Sequence, residues 1–83
     1  MPARVTDPRT LLRLADLISD ELDVHVADVE AYADPHVSDA FAVCARRSGG
    51  LCIAYAVVNT RTGIVEEVEF ASWPPRSLLD AER

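Results

Sequence analysis

Leu11, Leu14, Ala15, Ile18 and Leu22 recur at intervals of three and four residues, while Arg13, Asp16, Asp20 and Asp23 fall largely between them. That repeat is one face of a helix, and it predicts a helix over about residues 8–22 with a buried stripe and a solvated side. Its start is marked chemically. Asp7 offers a carboxylate to the free amides of the first turn, and Pro8 takes the first helical position, where no donor is needed. Leu12 and Leu17 widen the stripe, so the helix is expected to lie in a shallow saddle. From Val24 to Glu30 the period shortens toward two, which predicts a strand over about residues 24–31.

Residues 34–48 admit two readings. Asp34-Pro35 resembles a helix start, Ala40 to Ala45 is rich in alanine, and Arg46, Arg47 and Gly49 fit a helix end. A strand over about 39–46 is preferred, because a loop at residues 47–49 then sets Phe41 against Tyr55, Val43 against Ile53 and Ala45 against Leu51. Gly49 falls at the left-handed position such a loop requires. A second hairpin, turning at residues 59–63, sets Asn59 against Ile64, Val58 against Val65, Tyr55 against Val68 and Ile53 against Phe70.

The predicted strands are thus about 24–31, 39–46, 51–59 and 64–72. Trp73-Pro74-Pro75 ends the last one, since consecutive prolines supply no ladder donors. Ser77 and Asp80 are expected to cap a short turn through Leu78 and Leu79. The expected fold class is α+β: an N-terminal helix packed on one face of a three- or four-stranded antiparallel sheet. Residues 1–83 read as a single small domain, with 73–83 as its tail.

Strand side chains alternate between faces, so these registers gather Phe41, Val43, Leu51, Ile53, Tyr55, Val57, Ile64, Val68 and Phe70 beneath the helix and leave Val58 and Val65 on the other face. The other face is then a floor of small side chains, Ala42, Cys44, Cys52, Ala54 and Ala56. Glu67, Glu69, Trp73 and Arg46 form its rim. Strand spacing gives the floor roughly 240 Å². A monomer tolerates a patch of that size, which is far below the roughly 800 Å² per partner of a standard interface. Three fates are open to it: cover by the chain's own C-terminal segment, self-association, or a foreign partner.

Composition narrows what such a surface serves. The 83 residues carry fourteen acidic and eight basic side chains, a net charge of -6. That balance opposes binding to phosphate backbones, so nucleic acid is not an expected direct partner. All eight basic residues are arginine, which excludes lysine nucleophiles and the P-loop lysine. No run reaches the roughly 18 apolar residues of a membrane span, and residues 1–10 lack a signal-peptide layout. A cytoplasmic location, no membrane partner and reduced thiols are the expectation.

The candidate chemistry is sparse. Cys44 and Cys52 are expected directly opposite one another, either as small fillers or as a cross-strand disulfide, and they match no zinc spacing. His25 and His36 match no metal motif, and Asp34 and Asp39 are expected to hydrogen-bond within a solvated turn. A chain of this length leaves little room for a pocket of about 300 Å³, so no cofactor and no enzymatic activity are expected. The carboxylates form the clearest pattern. Glu67 and Glu69 stand about 6.6 Å apart along one strand, and Asp16, Asp20 and Asp23 line the exposed side of the helix.

In format the chain resembles small bacterial or phage-encoded inhibitors such as anti-CRISPR and immunity proteins: compact, acidic and without catalytic equipment. The resemblance implies a non-enzymatic module that occludes a partner's surface, with a basic partner protein steered to the acidic rim. The alternative is a homodimer joined through the alanine floor or a sheet edge. The expected contact residues are Glu67, Glu69, Trp73, Ala54, Ala56, Arg46, Asp16, Asp20 and Asp23.

Overall fold

Asp7 caps the helix as its position implies. In a computed structural model, which describes residues 4–75, Asp7 Oδ2 accepts from the Thr10 amide at 3.1 Å and from the Thr10 hydroxyl at 2.7 Å. Helix α1 runs over Pro8–Leu22 and ends on Asp23, which takes the left-handed conformation (φ 53°) and donates its amide to the Ser19 carbonyl. Four strands follow: β1 (Asp28–Ala33), β2 (Ala40–Arg46), β3 (Cys52–Asn59) and β4 (Ile64–Val68). They form one open antiparallel sheet in the order β1-β2-β3-β4, with α1 packed against it, so the fold is α+β. The expected turn at Ser77 and Asp80 lies outside the described residues.

Residues 34–48 contain a strand and no helix. Asp34 Oδ1 accepts from the amides of His36 at 2.8 Å and Val37 at 3.2 Å, the solvated turn expected before β2. Asp39 takes part through its backbone carbonyl, which accepts from the Thr60 amide, and not, among the described residues, through its side chain as expected. The first strand begins later than expected, at Asp28. Pairing starts only where Arg46, the last residue of β2, supplies a partner. At that edge the chain's own start gives a short cover: the Val5 amide donates to the Ala31 carbonyl at 2.8 Å.

The β3–β4 register is the expected one as far as Val68, with Asn59 opposite Ile64, Val58 opposite Val65 and Tyr55 opposite Val68; the expected Ile53–Phe70 pair does not form, because Phe70 lies beyond the end of β4. Asn59 Oδ1 caps the turn by accepting from the amides of Arg61 and Thr62, and Gly63 is left-handed (φ 76°).

The β2–β3 register differs from expectation. Phe41 pairs with Val58 rather than Tyr55, and Val43 pairs with Ala56 rather than Ile53. Two causes add. The loop between the strands holds five residues, 47–51, with Arg46 opposite Cys52; this moves the register by two and leaves every side chain on its expected face. A β-bulge at Ile53 then separates Arg46–Cys52 from Ala45–Ala54 and moves it by one more. That single residue exchanges the faces of residues 54–59 and, through the hairpin, of β4.

The core follows. Leu14, Ile18, Val43 and Val58 are fully buried, and Ala15, Ala31, Ala45 and Ala56 are buried among them. Ala56, at 1% exposure, is under the helix and not on an open floor. Alanines on the facing surfaces, Ala15 on the helix with Ala31, Ala45 and Ala56 on the sheet, leave room for Leu14, Ile18, Val43 and Val58 to pack between the two layers.

β4 stops at Val68 rather than at residue 72 because residues 69–75 leave the sheet edge and cross its other face. Trp73 lies 5.3 Å from Tyr55 and 5.6 Å from both Tyr32 and Phe70, measured between ring centres. Tyr55 and Phe70 meet edge to face at 5.7 Å. Ala42 of β2 is buried beneath this group, its methyl leaving room for the rings. Four of the five aromatic side chains thus form a second, smaller core opposite the helix.

Candidate functional site

The nine residues expected to form one docking surface are distributed over several. Asp16, Asp20 and Asp23 are exposed on α1, as expected. Ala54 and Ala56 face the helix, and Ala56 is sealed in the core. Trp73 covers the opposite face, its Nε1 donating to Glu30 Oε2 at 2.9 Å. Arg46 stands at one end of that face, paired with Asp28 at 3.1 Å. The open alanine floor therefore does not exist: the bulge turns half of it inward, and residues 69–75 cover the rest.

Glu67 and Glu69 remain exposed, and they border a feature not expected from the sequence. Tyr55–Val68 is the last pair of β3 with β4, so residues 52–54 of β3 have no β4 partner beside them. Where β4 would have continued, a cleft of about 650 Å³ opens between the two chain segments. Glu67 and Glu69 line it together with Ala54, the third expected contact residue found here, and with Ile53, Tyr55, Val68 and Phe70. The cleft exceeds the small volume expected for a chain of this length. It combines an unpaired strand edge, apolar side walls and two carboxylates that stay accessible to solvent.

On the aromatic face, Glu30 is the polar centre. Its side chain is 18% exposed, accepts from Trp73 Nε1 and from the Tyr32 hydroxyl at 3.3 Å, and has Arg4 at 3.8 Å. Burial and the neighbouring Glu30 carboxylate raise the pKa of the Tyr32 phenol. Nearby, Cys44 pairs with Tyr55 and Cys52 pairs with Arg46, so the two cysteines are not directly opposite as expected. The bulge nevertheless brings them together diagonally, with Sγ–Sγ at 3.1 Å. Burial, reinforced by the Cys52 sulfur, pushes the Cys44 thiol up to about 12. Hydrogen bonding with Cys52 also raises Tyr55 above its ordinary value.

A second cleft, of about 430 Å³, sits at the start of α1 and is lined by Arg9, Arg13 and Arg61 with Asp39 and Phe41. Arg13 Nη2 reaches across it to the Thr60 carbonyl at 3.3 Å. Among the described residues, no group of three or more His, Cys, Asp or Glu side chains is arranged to hold a metal ion. No helix among them is long and apolar enough to cross a membrane.

Sequence reasoning identified Ala54, Glu67 and Glu69, all three of which line the cleft, but missed Ile53, Tyr55 and Phe70 as its walls, and Glu30 as the anchor of residues 69–75. One signal was available for the last: Glu30 and Tyr32 alternate with the buried Val29 and Ala31, so they point away from the helix. The bulge itself has no residue signature. Comparison of the chain with protein-family models, with curated proteins and with solved structures finds no match.

Proposed function

We propose that the chain is a non-enzymatic protein-binding module that accepts a basic, extended segment of a partner protein in the cleft at the end of β4. The observation that carries this reading is the unpaired edge at residues 52–54, flanked by Glu67 and Glu69. A strand added there gains main-chain hydrogen bonds from β3 and rests apolar side chains on Tyr55 and Phe70. Its cations face the two carboxylates. Binding masks the partner's basic segment, which is an inhibitor's mode of action.

The charge of -6 and the exposed Asp16, Asp20 and Asp23 extend the negative field and favour encounter with a basic partner at low salt. The same charges weigh against the homodimer alternative at this edge. Antiparallel pairing of two β4 strands brings the Glu66 and Glu67 pairs of both copies together, and like charges across a ladder are destabilising.

A labelled peptide alternating valine and arginine is the probe, with its valine–glutamate counterpart as control. The basic peptide is expected to bind, to shift the amide resonances of residues 52–54, and to weaken as salt rises. Replacing both Glu67 and Glu69 by Gln removes two solvent-exposed pairs worth about 0.5–1 kcal/mol each, a loss of about 5- to 30-fold at low salt. Equal binding of the acidic peptide, or shifts confined to other strands, overturns the proposal.

A further inference from the structure

The chain has two cysteines, and they touch. Wherever else this sheet needs a small side chain, at positions 42, 45, 54 and 56, it uses alanine. The thiols stand only where they meet each other. A disulfide needs its sulfurs at about 2.05 Å, so the 3.1 Å separation requires about 1 Å of closure. Both side chains project from the same face of adjacent strands, and the bulge at Ile53 lies directly beside Cys52, where the ladder is already irregular and adjusts most easily. The two thiols are also unequal in access. Cys44 is 5% exposed, whereas Cys52 is only half-buried.

We propose that Cys44 and Cys52 form an oxidation site, which a hydroperoxide converts to an intramolecular disulfide and a thiol reductant restores. In the first step the Cys52 thiolate attacks one oxygen of the hydroperoxide. The O–O bond breaks, the departing alkoxide takes a proton to become an alcohol, and Cys52 becomes a sulfenic acid. In the second step the Cys44 sulfur attacks Cys52 Sγ, and the S–O bond breaks. The departing hydroxide takes the Cys44 proton and leaves as water. Two thiols and one hydroperoxide thus give one disulfide, one alcohol and one water: the sulfurs are oxidised and the peroxide oxygens reduced.

The geometry assigns the order of events. Solvent reaches Cys52, and Cys44 waits behind it in contact, so ring closure outruns a second oxidation. The elevated pKa of Cys44 agrees with that division, since it keeps the inner thiol protonated and unreactive toward peroxide until the sulfenic acid forms beside it. This inference does not depend on what occupies the β4 cleft.

The test exposes the folded chain to hydrogen peroxide, then unfolds it and alkylates free thiols before mass spectrometry. The expected product is a monomer lighter by two hydrogens, with neither cysteine alkylated, and dithiothreitol returns both thiols. With Cys44→Ser, Cys52 is expected to collect oxygen atoms or to link two chains. With Cys52→Ser, Cys44 is expected to remain alkylatable over the same exposure. A wild-type chain that keeps both thiols, gains oxygen at Cys52 while Cys44 still alkylates, or gives only linked chains overturns the proposal. Because the decisive readout is on the wild type, it stands whether or not the variants fold.

Discussion

If the C-terminal segment covers the sheet, removing its central ring must destabilise the whole domain. Trp73→Ala deletes an indole that contacts Tyr32, Tyr55 and Phe70 and donates to Glu30 at 2.9 Å. A fully buried tryptophan truncated to alanine costs about 3–5 kcal/mol; Trp73 is half-buried, so its packing accounts for about 2. A hydrogen bond to a carboxylate adds about 1 kcal/mol here, because Glu30, with an 18% exposed side chain, regains water when the indole is gone. The total is about 3 kcal/mol, which for a domain of this size lowers Tm by about 12–24 °C. Urea unfolding followed by circular dichroism measures it, since the only tryptophan is the one removed. Trp73→Phe keeps a ring and loses the donor, so it should cost about 1 kcal/mol, and a double-mutant cycle with Glu30→Ala should return a coupling of similar size. A Trp73→Ala protein within about 0.5 kcal/mol of wild type, with no coupling to Glu30, would show that the segment does not hold the sheet, and the open-face reading would return.

Two further outcomes test the local devices. Gly63→Ala should cost about 1–2 kcal/mol in urea unfolding: a Cβ there meets only Leu17 Cδ2, at an ordinary 3.9 Å, so the whole cost is the left-handed backbone at φ 76°. A neutral substitution refutes that assignment of the turn. Asp7 is held below its ordinary pKa by the Thr10 hydroxyl and amide. A depressed carboxyl stabilises the fold above its unfolded pKa, about 3.9, and that stability is lost as pH falls through the lower folded value. The thermal stability advantage of wild type over Asp7→Asn should therefore be full at pH 6 and close at acid pH. A gap that does not change with pH removes the charged cap from the account.

The elements that could be read from sequence are those whose signals are local. Asp7 and Pro8 fix the start of α1, and its periodic leucines fix the buried side. The turn from Asn59 to Gly63 fixes its own register, so the β3–β4 pairs were predictable. The β2–β3 register was not, because a regular ladder with every large side chain on one face fits the same residues, and a bulge leaves no mark in composition. The protein instead divides them, aliphatic side chains with Phe41 against the helix and the other four aromatic rings against the opposite face. For the site, the spacing of Glu67 and Glu69 was visible. The cleft beside them was not, since it exists only because β4 stops three residues short of Cys52, where β3 begins.

The bulge makes this distinction testable. Ile53 is an extra residue between two correctly faced ones: Cys52 points outward opposite Arg46, and Ala54 points inward opposite Ala45. Deleting Ile53 therefore leaves every other side chain on its present face and makes the ladder regular. The cost is the packing of a half-buried isoleucine, about 1–2 kcal/mol, partly offset by the regular pairing. Deleting Ala56 removes the same length of backbone, but regularising the bulge to absorb it would turn Tyr55 out of the aromatic group and under the helix, so the ladder beyond residue 55 shifts instead. Val58, fully buried, and Val65 then turn away from the helix, while Val57 takes the place where an alanine lets the helix approach. The loss of Val58 with the overpacking at Val57 exceeds about 4 kcal/mol, most of what a small domain has. Circular dichroism should show a folded, cooperatively melting chain without Ile53 and an unfolded one without Ala56. If both deletions unfold the protein equally, the bulge is not where the two faces are set, and the placement of Glu67 and the cleft falls with it.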